Sequence, residues 1–435
     1  MQKHWPLALI LVIYLFLGTL YAVYTPDWQT PDEPAHYNYV RQLAAGEFPI
    51  IEPGDYDQSY LMEVVFETAF APQYDLSIIE YEDWQPPLYY LLQTPMYMLT
   101  GGSLLAMRLL SLLLSMGVIV LAYAAADRLL PGEQWLALTT AVFVAFIPQH
   151  IAMMASVNND SLAELIIAAI LLVLLLIGDP RAKPKPGLLI LLGVLLGLGY
   201  LTKGTVYPVT AVAGSVLIWR YWRDWTAFIK ALLFVGLPAL TLGLLWWGRN
   251  MAVYGGFDIL GKATHDTVVV GQPRTSEWIA QMGLASTLQS FVQTTFNSFW
   301  GQFGWMTVPM TYPGWLYPLL WFFTGLVLAG FVVETARKRK SQIPRMHWFI
   351  LAGLLLLTLG VHVVYNLTFV QHQGRYLFPA LVPIGFGVAV GLGLWIRPLR
   401  KRWPWAVYFI PTGLAIALIL LDLYALFRVI LPALG

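Results

Sequence analysis

At 435 residues, with 58% apolar and only 11% charged side chains and a mean hydropathy of +0.65, the chain is too apolar for a water-soluble globule and reads as a polytopic membrane protein. A formal charge of +1 offers no overall electrostatic case for nucleic acid, and the absence of cysteine excludes disulfides and thiolate metal sites. Its 18 tryptophans and 23 tyrosines suit many membrane–water crossings, where amphipathic rings favour the headgroup level.

Taken in order, residues 7–24 form the first apolar run, behind Lys3. The run exceeds a usual signal-peptide core and no small-x-small site follows, so it reads as a retained helix with its amino end inside. Where that helix would leave the bilayer stands Pro31-Asp32-Glu33-Pro34-Ala35-His36, two adjacent carboxylates and a histidine between prolines. Residues 27–83 hold 13 of the 24 acidic residues and one basic residue, Arg41, which marks an outside loop. Within it, 34–45 has the pattern of a short amphipathic helix on the membrane, with Tyr37, Val40 and Ala44 on one side and Gly46 as its stop. Residues 52–57 are turn-rich, and 60–70 form a candidate second short helix.

The segment 85–99, opening Gln85-Pro86-Pro87-Leu88-Tyr89-Tyr90, decides the topology. It has about 15 residues before Gly101-Gly102, where a spanning helix needs about 20. Were it to span, Arg181, Lys183, Lys185 and the basic cluster at 337–340 would fall outside, against the positive-inside bias. Laid along the surface, it completes an outside first loop over 27–102. The remaining spans then fall near 103–126, 134–150, 161–178, 187–202, 205–219, 226–248, 313–334, 347–368, 376–396 and 405–428. Of the 25 Lys and Arg, 17 lie inside and 8 outside, which supports eleven helices with the carboxyl end outside. A second outside loop, 249–312, carries His265, Asp266 and the Trp300-Gly-Gln-Phe-Gly-Trp305 segment. There is no internal repeat, heptad pattern or low-complexity stretch.

Acidic side chains at an interface need a reason, although a solvated loop end costs less than the ~2.5–3.5 kcal/mol of a bilayer centre. Thr30-Pro31-Asp32-Glu33 satisfies a capping reading, with Thr30 as N-cap, Pro31 first in the helix and Glu33 completing a capping box. It also satisfies a catalytic one, in which a carboxylate is a general base whose proton affinity its neighbour raises. Asp160 precedes Ser161-Leu-Ala-Glu164, a capping box opening a span, and is either structural or oriented toward an acceptor. Outside-facing cations able to meet a phosphate are Arg108, Lys203, Arg249 and Arg375. Arg375, in His372-Gln373-Gly374-Arg375-Tyr376, puts a fork-shaped donor at a helix mouth. For Arg375 and Lys203 the alternative is anchoring at lipid headgroups, and for Arg108 it is a partner in the acidic loop. His36 is either a substrate contact or a loop staple. His265-Asp266 is a slight hint of a metal or substrate contact, Asn366-Leu-Thr368 fits a glycosylation sequon at a helix end, and the 337–340 run is a topology anchor.

Asp32-Glu33-x-x-His36, Gln85-Pro86-Pro87-Leu88-Tyr89-Tyr90 and Asn159-Asp160 together resemble the glycosyltransferase C-fold superfamily, and within it protein O-mannosyltransferases and lipid A aminoarabinose transferases. Phe299-Trp-Gly-Gln-Phe-Gly-Trp305 and Gln373-Gly-Arg-Tyr-Leu-Phe-Pro379 further resemble a bacterial branch of predicted members. The resemblance implies an all-α polytopic fold with short surface-lying helices in the first outside loop. It also implies a cell-envelope enzyme of the cytoplasmic membrane. Such an enzyme moves a sugar from a polyprenyl phosphate donor, with inversion, to a hydroxyl of a protein, lipid or glycan on the outer face. Asp32 matches the family's base, with Glu33 supporting it. His36, Asp160, Arg108, Lys203, Arg249, His372 and Arg375 are the candidate substrate contacts. Aminoarabinose transferases carry a Glu directly before the Pro-Pro-Leu-like stretch. Here Trp84-Gln85 stands there, with Glu82 and Asp83 slightly upstream, so neither a metal nor another cofactor is predicted. A transporter or flippase of a lipid-linked glycan would instead want ionisable residues at the bilayer midplane and paired broken helices. A glycan polymerase or ligase is set apart only by the Asp-Glu corner and the Pro-Pro-Leu segment.

Overall fold

The computed structural model describes residues 4–337 and 343–435; Lys3 and residues 338–340 of the basic cluster lie outside the described residues. The helices follow the apolar runs. α1 (Trp5–Tyr24) ends where Thr25 turns extended ahead of Pro26, because a residue before proline is pushed out of the helical region. α2 (Glu33–Ala45) stops at Gly46, whose left-handed backbone (φ 87°) returns its N–H to the Gln42 and Leu43 carbonyls. α3 (Gln58–Met62), capped by the Asp57 side chain, runs into a single π turn, Glu63–Glu67. α4 (Leu88–Thr100) has 13 residues, about 20 Å at 1.5 Å each, short of a ~30 Å hydrocarbon core.

α5 (Leu104–Leu129), α6 (Gln134–Ala145), α7 (Pro148–Met154), α8 (Asp160–Ile177), α9 (Pro186–Tyr200), α10 (Val209–Tyr221) and α11 (Trp225–Tyr254) follow. Then come α12 (Lys262–Val268), α13 (Thr275–Met282), α14 (Leu284–Trp300) and a two-stranded antiparallel hairpin, β1 (Gln302–Phe303) with β2 (Val308–Pro309). α15 (Leu316–Arg337), α16 (Arg345–Asn366), α17 (Leu381–Arg402), α18 (Phe409–Tyr424) and α19 (Leu431–Leu434) complete the chain. Each of the eleven predicted spans holds a helix. Among the described residues eight helices are long and apolar enough to cross alone, or nine if α6 and α7, bent by 64°, count as one. α9, with 15 residues, and α10, with 13, fall short of that length. The 205–219 expectation is corrected here, because the 3₁₀ turn Gly204–Val206 and Pro208 consume the first residues and α10 starts only at Val209.

α5 packs along α1, α6 and α8, and α6 in turn along α17. α15 and α17 touch backbone to backbone: a Cβ at Gly330 would lie 2.2 Å from the Gly391 carbonyl oxygen, so no larger residue fits. Small residues are what allow such an approach in lipid. Besides the main core there is a second, smaller one of Ala35, Ile51, Ile79, Tyr81, Val268 and Val269, with Trp84, Tyr254 and Trp305 packed against it. The segments 27–102 and 249–312 therefore pack against each other through this core. α8 is about 27 Å long and separates two ends of the bundle, with Asp160 at one and the Arg128–Asp179 ion pair just past the other.

Candidate active site

The turn after α1 is strained. Trp28 (φ 68°) and Asp32 (φ 70°) are both left-handed, a conformation that costs a side-chain-bearing residue energy and persists only where the surroundings dictate it. α2 starts one residue after Asp32, not at Pro31, and Asp32 caps nothing with its side chain. The expected capping box is thereby corrected: the chain reaches Glu33 from a left-handed residue, which swings the two carboxylates apart. Asp32 points into the site, a quarter exposed, and accepts hydrogen bonds from the Tyr81 hydroxyl (2.9 Å) and Arg375 Nη2 (2.7 Å). Glu33, with 0% of its surface exposed, points back into the protein. It accepts from Arg108 Nε (2.8 Å) and Nη2 (2.6 Å), Val157 N–H (3.1 Å) and Trp28 N–H (3.2 Å). Arg108 spends its remaining donors on the carbonyls of Ala22, Thr25 and Pro26 at the end of α1. The two side chains are engaged with each other and with the backbone around them.

Around Asp32 the fold gathers residues from five distant segments. Lys203, after α9, donates to Asp160 Oδ1 at the start of α8 (2.6 Å). The Leu88 N–H donates to the Leu201 carbonyl (2.8 Å), which ties the Pro-Pro-Leu corner to the Lys203 turn. Asn159 Nδ2 donates to the Tyr90 hydroxyl (3.3 Å), which also shares a 2.8 Å hydrogen bond with His36 Nδ1. Arg375 rides on a 3₁₀ turn, Gly374–Ala380, pressed against α14. A Cβ at Gly374 would sit 2.2 Å from Phe299 N, and the Gly374 N–H donates to Ser298 Oγ (2.7 Å). Arg375 Nε finds no partner among the described residues. The expected capping box at Ser161 is also absent: Glu164 is buried and shares a 3.0 Å hydrogen bond with His150 Nε2.

Desolvation pushes the Asp32 carboxyl up, but the Arg375 guanidinium outweighs it and holds the group below the usual carboxylate range. Burial drives His36 down to about 3, so it is neutral at physiological pH. Glu82 was not among the expected site residues, yet its carboxylate feels the charges of Asp32, Lys203 and Arg375, and burial raises it to about 8. Burial raises Asp83 to about 9, and each of these two carboxylates has one buried oxygen without a partner among the described residues. Both groups hold a proton in the folded chain that the unfolded chain has released above its ordinary carboxylate range. Stability therefore falls as pH rises from about 4.5 to about 9. Glu82→Gln is expected to flatten part of that decline in thermal unfolding scans, and an unchanged slope would show that Glu82 is ionised throughout.

Other expected contacts lie elsewhere. Arg249 donates to the Pro49 carbonyl and to Asn250 Oδ1 (3.0 Å) and lies over the rings of Phe48, Trp246 and Tyr254, clamping the loop. His372 sits beside Ser290 (3.4 Å) and against the rings of Phe291 and Trp278, facing α13 and α14 rather than Asp32. The imidazole of His265 packs on Trp84, and its neighbour Asp266 pairs with Lys262. The Asn366 amide is buried and bonded to Gln371 and His362, so the sequon has no free acceptor nitrogen. Tyr81 carried no local signal. Tyr90 closes the Gln85–Tyr90 stretch and Asn159 precedes Asp160, but neither carries a sequence signal of its own.

No curated protein matches the sequence. Among solved structures, the chain is similar to ArnT from Cupriavidus metallidurans bound to undecaprenyl phosphate, at 16% identity and a TM-score of 0.56 over 100% of this chain and 74% of that one. The apo form of the same protein matches at 16% identity and a TM-score of 0.54, over 99% and 72%. An apo oligosaccharyltransferase from Archaeoglobus fulgidus follows at 12% identity and a TM-score of 0.49, over 99% and 56%. At such identity the likeness to ArnT is one of fold, and it is the glycosyltransferase C fold that the motifs led us to expect. A family model described as predicted membrane protein (DUF2142) matches residues 60–384, most of the chain, and it is to this family that the chain belongs.

Proposed function

We propose that the protein is an inverting membrane glycosyltransferase that takes a sugar from a polyprenyl phosphate donor. The observation that carries this reading is the Asp32–Arg375 contact at 2.7 Å, flanked by Asp160–Lys203, in a fold shared with ArnT. Asp32 takes the proton of an acceptor hydroxyl while that oxygen bonds to the anomeric carbon. The bond from that carbon to the phosphate oxygen breaks on the opposite face, as inversion requires. The electron pair leaves with the phosphate, whose charge Arg375 and Lys203 receive in charge-assisted hydrogen bonds. Paired with Asp32 at 2.7 Å, Arg375 holds the carboxylate as a weak base. Arrival of the donor phosphate draws the guanidinium away, and the carboxylate becomes a stronger base at the moment it is needed. The excess of Lys and Arg in the loops at the other end of the helices supports an extracytoplasmic active site.

The test uses purified protein and a radiolabelled polyprenyl phosphate sugar. Arg375→Ala and Lys203→Ala are each expected to raise the donor KM about 10–100-fold, the worth of a charge-assisted contact, with little change in the acceptor KM. Equal effects on both substrates would return these cations to a purely structural role.

A further inference from the structure

The hydroxyl and the phosphate each have partners in this site, but nothing described so far holds a sugar ring flat. We propose that Trp305 is a stacking platform for a pyranose ring at the mouth of the Asp32 site. It rests on the transferase reading only for the choice of ligand. Trp305 stands at the tip of the β1–β2 hairpin, between Gly304 (φ 59°) and Met306 (φ 67°), and the Gln302 side chain ties the tip by donating to the Met306 carbonyl (2.6 Å).

Among the described residues five non-glycine positions have a left-handed backbone: Trp28, Asp32, Ala69, Phe70 and Met306. All five belong to one neighbourhood. The Trp305 Nε1–H donates to the Trp28 carbonyl (3.1 Å), the Phe70 ring centre lies 6.2 Å from that of Trp305, and Met306 is its neighbour in sequence. Asp32 joins through Tyr81, which shares the small core on which Trp305 packs. Backbone strain confined to one place is characteristic of a site where side chains must be held in set positions.

The indole is half-buried, with its polar edge consumed by Trp28, and it is carried by a hairpin rather than by a spanning helix. A lipid-headgroup anchor would keep that N–H for the interface. A pyranose ring presents an apolar face of C–H bonds that matches the face of an indole. The ring could belong to the acceptor or to the sugar being moved.

Saturation-transfer NMR on the nanodisc-embedded protein separates these sources. The probes are the free methyl glycosides of glucose, galactose, mannose and N-acetylglucosamine, and a short-chain citronellyl phosphate glucose. Ring protons are expected to receive saturation in the wild type, to bind about ten-fold more weakly with Trp305→Ala, and to recover with Trp305→Phe. Transfer to the free glycosides assigns the platform to the acceptor, and transfer to the phosphate-linked sugar alone assigns it to the donor. Because Trp305 also supports the small core, Phe70→Ala serves as the second variant and is expected to weaken the same signal. Signal that ignores both substitutions, or no signal from any probe, overturns the platform. Turnover that requires Asp32 alongside Trp305-independent binding would sink the platform alone. Trp305-dependent binding without any turnover would sink the transferase reading alone.

Discussion

Asp32→Asn is expected to lower sugar transfer by about 10²–10⁴-fold, the usual worth of a positioned general base, while leaving the protein folded and inserted. The amide keeps the size of the side chain, and one oxygen can still accept from Tyr81 or Arg375, so the strained turn retains a partner on that side. What it loses is the ability to take a proton. In the wild type kcat/KM should also fall in acid as pH drops through the Asp32 pKa of the free enzyme, which Arg375 holds below the ordinary carboxylate range. Measurement of turnover with a radiolabelled donor across pH decides the matter. Near-normal turnover in the asparagine variant would leave the chain with the fold of a transferase and no base.

Much of this site was legible from local pattern, and the part that was not has a physical cause. Asp32, Asp160, Lys203 and Arg375 could each be named because an ionisable residue beside an apolar span is costly and stands out. Their pairing could not, since Asp32 and Arg375 are 343 positions apart and only the bundle brings them together. The capping boxes failed for a different reason. Thr30-Pro31-Asp32-Glu33 and Ser161-Leu-Ala-Glu164 satisfy the cap pattern, but buried partners claim both glutamates, Arg108 for one and His150 for the other, and such tertiary bonds outbid a solvent-exposed cap. Glu82 was passed over because it stands slightly upstream of the family's position. The turn before α4 nevertheless brings it within the field of Asp32, Lys203 and Arg375.

Arg108→Ala is expected to be the most damaging single change to stability, at about 3–5 kcal/mol, because it strands one half of a buried ion pair. The Glu33 carboxylate would keep only the N–H groups of Val157 and Trp28, and the carbonyls of Ala22, Thr25 and Pro26 would lose their common donor. Asp27, 3.7 Å from Arg108 and largely exposed, already has water and does not stand in for Glu33. Glu33→Gln, which preserves shape and one acceptor, should cost less than Glu33→Ala, and the double variant Glu33→Gln/Arg108→Met should cost less than the sum of its singles, since no uncompensated charge remains. The pair holds the end of α1, the residue after Asp32 and the backbone just before Asn158-Asn159-Asp160. Loosening it should therefore blunt turnover even where the protein still folds. Thermal unfolding in nanodiscs beside donor kinetics separates this role from the one the motifs suggested. If Arg108→Ala leaves the melting temperature unchanged and instead raises the donor KM, Arg108 acts on the substrate and not as the partner that holds Glu33.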